Sequence, residues 1–204
     1  MISVLDVLTH EKFKSWIADN ESMLALIARQ GGSEDLLRSI IGAWFQLNKP
    51  ELTFVSERYD VDLIICSDNE SLVCEFKHNF IGQGEREIKN NFISAVKQVM
   101  RGNTNIPYKK NYREVILLLV QIFSVESHLP EWAKKYSNNV VTIIDKCNSV
   151  IEKVKEFKDS VDGQGFELSP GGHVVFDLSA KGVVEIKLHA FVYQACREKS
   201  EIIE

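Results

Sequence analysis

Apolar and polar residues alternate with a period of two through "RYDVDLII". Tyr59, Val61, Leu63 and Ile65 are separated by Asp60, Asp62 and Ile64, the repeat of a β-strand. The cluster "SDNES" (Ser67 to Ser71) is a turn, and "LVCEF" returns as a second arm, so Asp62 and Glu75 face each other across a predicted hairpin. "TFVSE" before it reads as a further strand. Upstream, "GGSEDLLRSIIGAWFQLN" carries Leu36, Leu37, Ile40, Ile41, Trp44 and Phe45 at helical spacing, with Ser33 as a candidate N-cap after the Gly31-Gly32 break. One or two more helices are expected before it. Downstream, "EREIKNNFISAVKQVMRG" places Ile88, Phe92, Ala95, Val96 and Val99 on one helical face.

Beyond that helix the pattern predicts a strand in "REVILLLVQIF", a short helix in "LPEWAKKY", a strand in "NNVVTIID", and an amphipathic helix in "CNSVIEKVKEFKDSV". A Gly/Pro-rich loop, "DGQGFELSPGGH", then leads to a second hairpin from Val174 to Gln194. Strands alternating with helices after an initial meander argue for parallel crossovers onto a mixed sheet, an α/β class. With 204 residues the chain suits a single domain. Its expected core is residues 33–145, with N-terminal helices in 1–32 and a C-terminal helix and hairpin embellishing it in 146–204.

Glu-x-Lys occurs four times, as Glu75/Lys77, Glu87/Lys89, Glu156/Lys158 and Glu185/Lys187. On a helix, residues i and i+2 point about 200° apart and cannot converge. That removes the second and third pairs. On a strand they share a face. Glu75/Lys77 and Glu185/Lys187 both pass, each with an aspartate on the partner arm (Asp62 and Asp177). The first pair has an acidic helix before it and a basic helix and further strands after it. The second lies near the C-terminus, without a strand beyond it to form a rigid platform, and reads as an exposed face of alternating charge.

Helix with a glutamate, hairpin carrying Asp and then Glu-x-Lys after an apolar run, helix, strand: this order over Ser33 to Asp145 resembles the PD-(D/E)XK nuclease superfamily. The resemblance implies the restriction-endonuclease-like three-layer α/β/α core with a mixed central sheet. "YDVDLII" departs from the Pro-Asp form of the motif. By position, the resemblance implies that Asp62 and Glu75 bind Mg²⁺, with Mn²⁺ substituting, and that the Phe76 carbonyl adds a ligand. It makes Lys77 the charge at the scissile phosphate, Glu34 an accessory acid, and Gln98 a polar residue near the site. The residue types suit that chemistry, because Mg²⁺ takes hard oxygen ligands and keeps several waters. Two carboxylates on adjacent strands, about 5 Å apart, span one octahedral ion.

Each assignment has a plainer alternative. Asp60 lies two residues before Asp62 on the same face, and a register slip would exchange them. Asp62, Glu75 and Lys77 also suit a solvated cross-strand ion-pair surface. Glu34 suits a first-turn acid that answers the helix dipole.

The net charge of −5 argues against a protein that coats nucleic acid by bulk attraction. The charge is uneven, however. Residues 77–113 carry a balance of +6, leaving −11 on the rest. Within that segment His78, Arg86, Lys89, Lys97, Arg101, Lys109, Lys110 and Arg113 flank the proposed site and suit a phosphate backbone. Cys66, Cys74, Cys147 and Cys196 show no metal-ligand spacing and read as free thiols in a reducing cytoplasm. No signal segment is apparent, and the longest apolar run, "VILLLV", is too short to span a bilayer. The expectation is a cytoplasmic Mg²⁺-dependent deoxyribonuclease, acting in restriction, defence or DNA repair. Its partner is DNA, and a homodimer would suit double-strand cleavage. The alternatives are a catalytically silent module of the same fold that binds DNA or a protein, and an acidic protein that contacts only proteins.

Overall fold

The structure, a computed structural model, describes residues 3–29, 32–58, 61–81, 84–101, 110–124, 153–154, 156–157, 159 and 166–197. The expected segments "LPEWAKKY" and "NNVVTIID", together with Asp60, Cys147 and Lys109, lie outside them. Three short helices, α1 (Val4–Thr9), α2 (Glu11–Asp19) and α3 (Glu21–Arg29), precede the long α4 (Ser33–Asn48). The meander follows as β1 (Thr53–Arg58), β2 (Val61–Cys66) and β3 (Glu70–Phe80). Next come α5 (Glu85–Arg101), β4 (Lys110–Ser124), β5 (Phe166–Ala180) and β6 (Val184–Arg197).

One mixed six-stranded sheet runs in the order β1-β2-β3-β4-β6-β5. β3 and β4 are parallel, joined through α5 as the alternation of strand and helix predicts, and every other neighbouring pair is antiparallel. Helices cover both faces. On one, α1 to α4 bury Phe13, Leu37, Ile41 and Phe45 against Leu63, Phe76, Ile116 and Leu188. On the other, α5 buries Ile88, Phe92 and Val96 against Ile64, Val73, Val115 and Leu117. Val154 and Phe157, at helical positions, extend that second cluster.

Three expectations change. Gly32 is the N-cap of α4 and makes no side-chain cap, whereas Ser33 is already helical and buried, its hydroxyl without a described partner. Part of the expected "DGQGFELSPGGH" loop is strand: β5 begins at Phe166 and passes Pro170 with a register shift between Pro170 and Gly172. An outermost strand tolerates proline and glycine where a central one would lose ladder bonds. The C-terminal hairpin is no appendage, since β6 lies inside the sheet and pairs with β4 over Glu114–Ser124. The Glu185/Lys187 pair therefore does have a platform beneath it. Its side chains remain exposed, and Lys187 lies 3.7 Å from Asp177.

A candidate active site where two strands part

The ladder between β2 and β3 ends at the Leu63–Cys74 pair, yet β3 continues to Phe80 alongside β4. From Glu75 onward β3 is therefore an edge on its β2 side. Backbone N–H groups on a partly buried edge require acceptors. Two carboxylates supply them. Asp62 Oδ2 accepts the Phe76 N–H at 2.7 Å, and Glu34 Oε2, from the first turn of α4, accepts the His78 N–H at 3.2 Å. Asp62 and Glu75 flank the fork, one residue beyond the last ladder pair, and the Asp62 N–H donates to Glu75 Oε2 at 3.3 Å.

Alternation along β3 puts Glu75 and Lys77 on the face of Val73, towards α5. The Lys77 ammonium donates to Glu75 Oε1 at 2.6 Å. The Glu75 side chain is 1% exposed, that of Lys77 21% and that of Asp62 15%. Burial pushes the Glu75 carboxyl up to about 7, against the pull of the Lys77 hydrogen bond and with added push from the Asp62 charge. Burial and the nearby Asp62 likewise raise Glu34 despite the Lys77 charge. For Lys77, burial works against the charged form. The Glu75 hydrogen bond and the charges of Glu75, Glu34 and Asp62 outweigh it, and the ammonium sits above its usual range.

The structure thus brings Asp62, Glu75, Lys77 and Glu34 to one fork. It adds Arg38, which the sequence reading missed: its guanidinium lies 3.4 Å from Asp62 Oδ1 and 2.9 Å from Asp35 Oδ1. A signal was present, because Arg38 stands four residues after Glu34, on the same helical stripe. Asn79, fully buried further along β3, accepts from Asn91 of α5 at 2.7 Å and ties that helix to the site strand.

The other nominated residues are more scattered. The His78 imidazole points to the opposite face from Lys77 and packs edge-on to Phe80 at 4.6 Å. Burial lowers it to about 4, which leaves it uncharged at neutral pH. Along α5, Arg86 and Arg101 are exposed, while Lys89, Lys97 and Gln98 are half-buried, Gln98 accepting from Ser94 at 3.4 Å. Lys110 opens β4.

Hard oxygen donors are what a divalent cation of the Mg²⁺ type needs, and Asp62 and Glu75 supply them in adjacent positions. Each of their four oxygens already accepts from, or pairs with, one protein N–H group, which leaves a second lone pair on each for a cation. Among the described residues, no group of three or more His, Cys, Asp or Glu side chains is arranged to hold a metal. Set against protein-family models, curated proteins and solved structures, the chain finds no match in any of the three comparisons.

Proposed function

We propose that this chain is a Mg²⁺-dependent nuclease that hydrolyses DNA phosphodiester bonds. In this reading it is a cytoplasmic, restriction-endonuclease-like protein of the PD-(D/E)XK type that acts in restriction, defence or DNA repair. The observation that carries the proposal is the fork: Asp62, Glu75 and Lys77 converge where β2 leaves β3, with Glu34 closing the exposed edge. A merely solvated ion-pair surface would not bury Glu75 to 1% exposure. Nor would it hold a carboxyl group at about 7.

Asp62 and Glu75 would hold the cation, with Mn²⁺ able to replace Mg²⁺ and the Phe76 carbonyl as a further ligand. Bound there, the ion supplies an acidified water and charge neutralisation at the phosphate. The chain's own residues do the rest. Lys77, released from Glu75, places a compact positive charge beside the phosphate. Glu34 accepts from the β3 backbone and orients water at the rim. Arg86, Lys89, Lys97 and Arg101 of α5 offer cationic contacts to the strand backbone. Among the described residues no helix is long and apolar enough to cross a membrane.

The test is cleavage of DNA with and without Mg²⁺ or Mn²⁺, repeated on folded Glu75→Ala and Lys77→Ala proteins. Metal-dependent cleavage lost in both supports the assignment. Cleavage that survives both substitutions removes it. The near-complete enclosure of Glu75 favours a second reading, a catalytically silent module that binds DNA or a protein. Calorimetric titration with Mg²⁺ and Mn²⁺ separates the two, since the silent module takes up neither ion.

A further inference from the structure

β5 is the last strand of the sheet, and its outer side has no strand neighbour among the described residues. Its backbone direction can be assigned from two hydrogen bonds. Ala180 gives its carbonyl inward to Val183 in the hairpin turn, while Ser179 gives its carbonyl to the Ser22 hydroxyl of α3. Successive residues of a strand point their N–H and C=O groups to opposite sides. His173, Val175 and Asp177 therefore present theirs to the outer side of β5, where the Ser179 carbonyl is taken by α3 and no strand lies alongside among the described residues. All three side chains are also exposed: Val175 is 41% exposed and the Asp177 side chain 79%. A long edge with an exposed valine at its middle, after the bulge at Pro170/Gly172, is a template for another strand.

The order His-x-Val-x-Asp is self-complementary under a two-fold axis. We propose that β5 pairs antiparallel with β5 of a second copy of this chain, centred on Val175, to join two sheets into one. In that register Val175 meets Val175 of the second copy, and His173 meets Asp177 of the second copy on both sides of the axis. Val174 and Phe176 meet on the other face. Sliding the axis by one residue towards Phe176 sets Val175 against Asp177. Sliding it towards Val174 sets Val175 against His173 and Asp177 against Gly171. Only the central register matches apolar with apolar and imidazole with carboxylate.

The histidine is prepared for this role. His173 Nε2 lies 3.2 Å from His189 Nδ1, and its ring stacks on Phe191 at 4.1 Å with planes 1° apart. The His173–His189 ring centroids are 5.4 Å apart, the span of two imidazoles meeting nitrogen to nitrogen, so the contact is a shared hydrogen bond. In the tautomer where His189 Nδ1–H donates to His173 Nε2, the His173 Nδ1–H is the donor left for the second carboxylate. The pairing is isologous, as closed two-fold dimers require. It does not depend on any activity at the β2–β3 fork.

Light scattering on the full chain during size-exclusion chromatography, across a dilution series from tens of micromolar downward, tests the pairing. The wild-type protein should show twice 23.2 kDa at the upper end. Val175→Lys, checked for folding by circular dichroism, should run at the monomer mass. His173→Asp should weaken the dimer by at least roughly tenfold, the equivalent of one lost charge-assisted contact on each side of the axis. Adding Asp177→His to it should restore the dimer, because the exchanged pair is again complementary. A wild-type protein that is monomeric throughout overturns the proposal, as does a folded Val175→Lys dimer. Failure of Asp177→His to rescue His173→Asp overturns it too, and that comparison stands even if the lysine variant does not fold.

Discussion

Asp62 takes the place of a missing strand for Phe76. Its Oδ2 accepts the Phe76 N–H at 2.7 Å at the point where β2 no longer reaches β3. A carboxylate here is both part of the candidate site and a structural acceptor. Asp62→Ala should therefore cost about 1–3 kcal/mol, the usual penalty for a partly buried donor left unsatisfied. Asp62→Asn keeps an acceptor oxygen and should lose less. Urea denaturation of the two variants measures the difference, and equal stability would mean that Phe76 finds water instead.

The fork also marks how far the sequence could be read. The alternation of Val61 to Cys66 and of Leu72 to Phe76 was legible because strand faces follow a local rule of two. Where the ladder stops was not legible, since that depends on how β2 and β4 compete for β3, a matter of distant residues. Arg38 was hidden for a different reason: a helical arginine is ordinary until the stripe it shares with Glu34 is known to face a site. The place of β6 beside β4 was the least accessible, because it joins Glu114 to Gln194 with no local mark on either. The exposed charges of Glu185 and Lys187 were read correctly as a surface pattern while the strand beneath them was misplaced.

Glu114 ties α1 to the sheet. Its carboxylate accepts the Val4 N–H at 2.8 Å, and it is 2% exposed. Burial pushes it up to about 7, with Asp6 adding to the rise and the Val4 hydrogen bond opposing it. The folded protein then holds a proton between 4.5 and about 7 that the unfolded chain has released. Its contribution to stability must fall as pH rises through that window. Glu114→Gln keeps an oxygen for Val4 and cannot ionise. It should flatten this part of the pH profile and gain about 1–3 kcal/mol over wild type at pH near 8. Glu75 titrates over the same range, so the informative quantity is the difference between the two proteins' unfolding free energies from about pH 5 to 8.

Gly42 lets α4 lie against β1. A Cβ at this position would overlap the ring of Phe54. Alanine in a helix interior gains about 1 kcal/mol over glycine, while overpacking costs about 1–3 kcal/mol. The steric cost should win, and Gly42→Ala should lower the thermal midpoint. In a Phe54→Leu background the obstruction is gone and only the helix gain remains. The same substitution should then raise the midpoint. A change of the same sign in both backgrounds would mean that Phe54 is not what the alanine meets.

Lys77 and Glu75 form the pair on which the functional reading depends, and their coupling gives a test separate from catalysis. The Lys77 hydrogen bond and charge pull Glu75 down towards about 7; without them burial would carry it higher. In Lys77→Met the folded state must keep its proton to a higher pH or bury a bare carboxylate. The stability lost to the substitution should therefore grow as pH rises above about 7, reaching about 3–5 kcal/mol in alkaline solution, the cost of breaking a buried pair. At pH near 5.5, where Glu75 is protonated in both proteins, the loss should be much smaller. Adding Glu75→Gln removes the buried charge and should return most of the stability. That double variant decides what an inactive Lys77→Met protein means. If the wild-type protein cleaves DNA and the folded double variant does not, the lost activity belongs to the chemistry at the fork. A pH-independent loss in the single variant would show that water reaches Glu75, and the enclosed pair would not exist in solution.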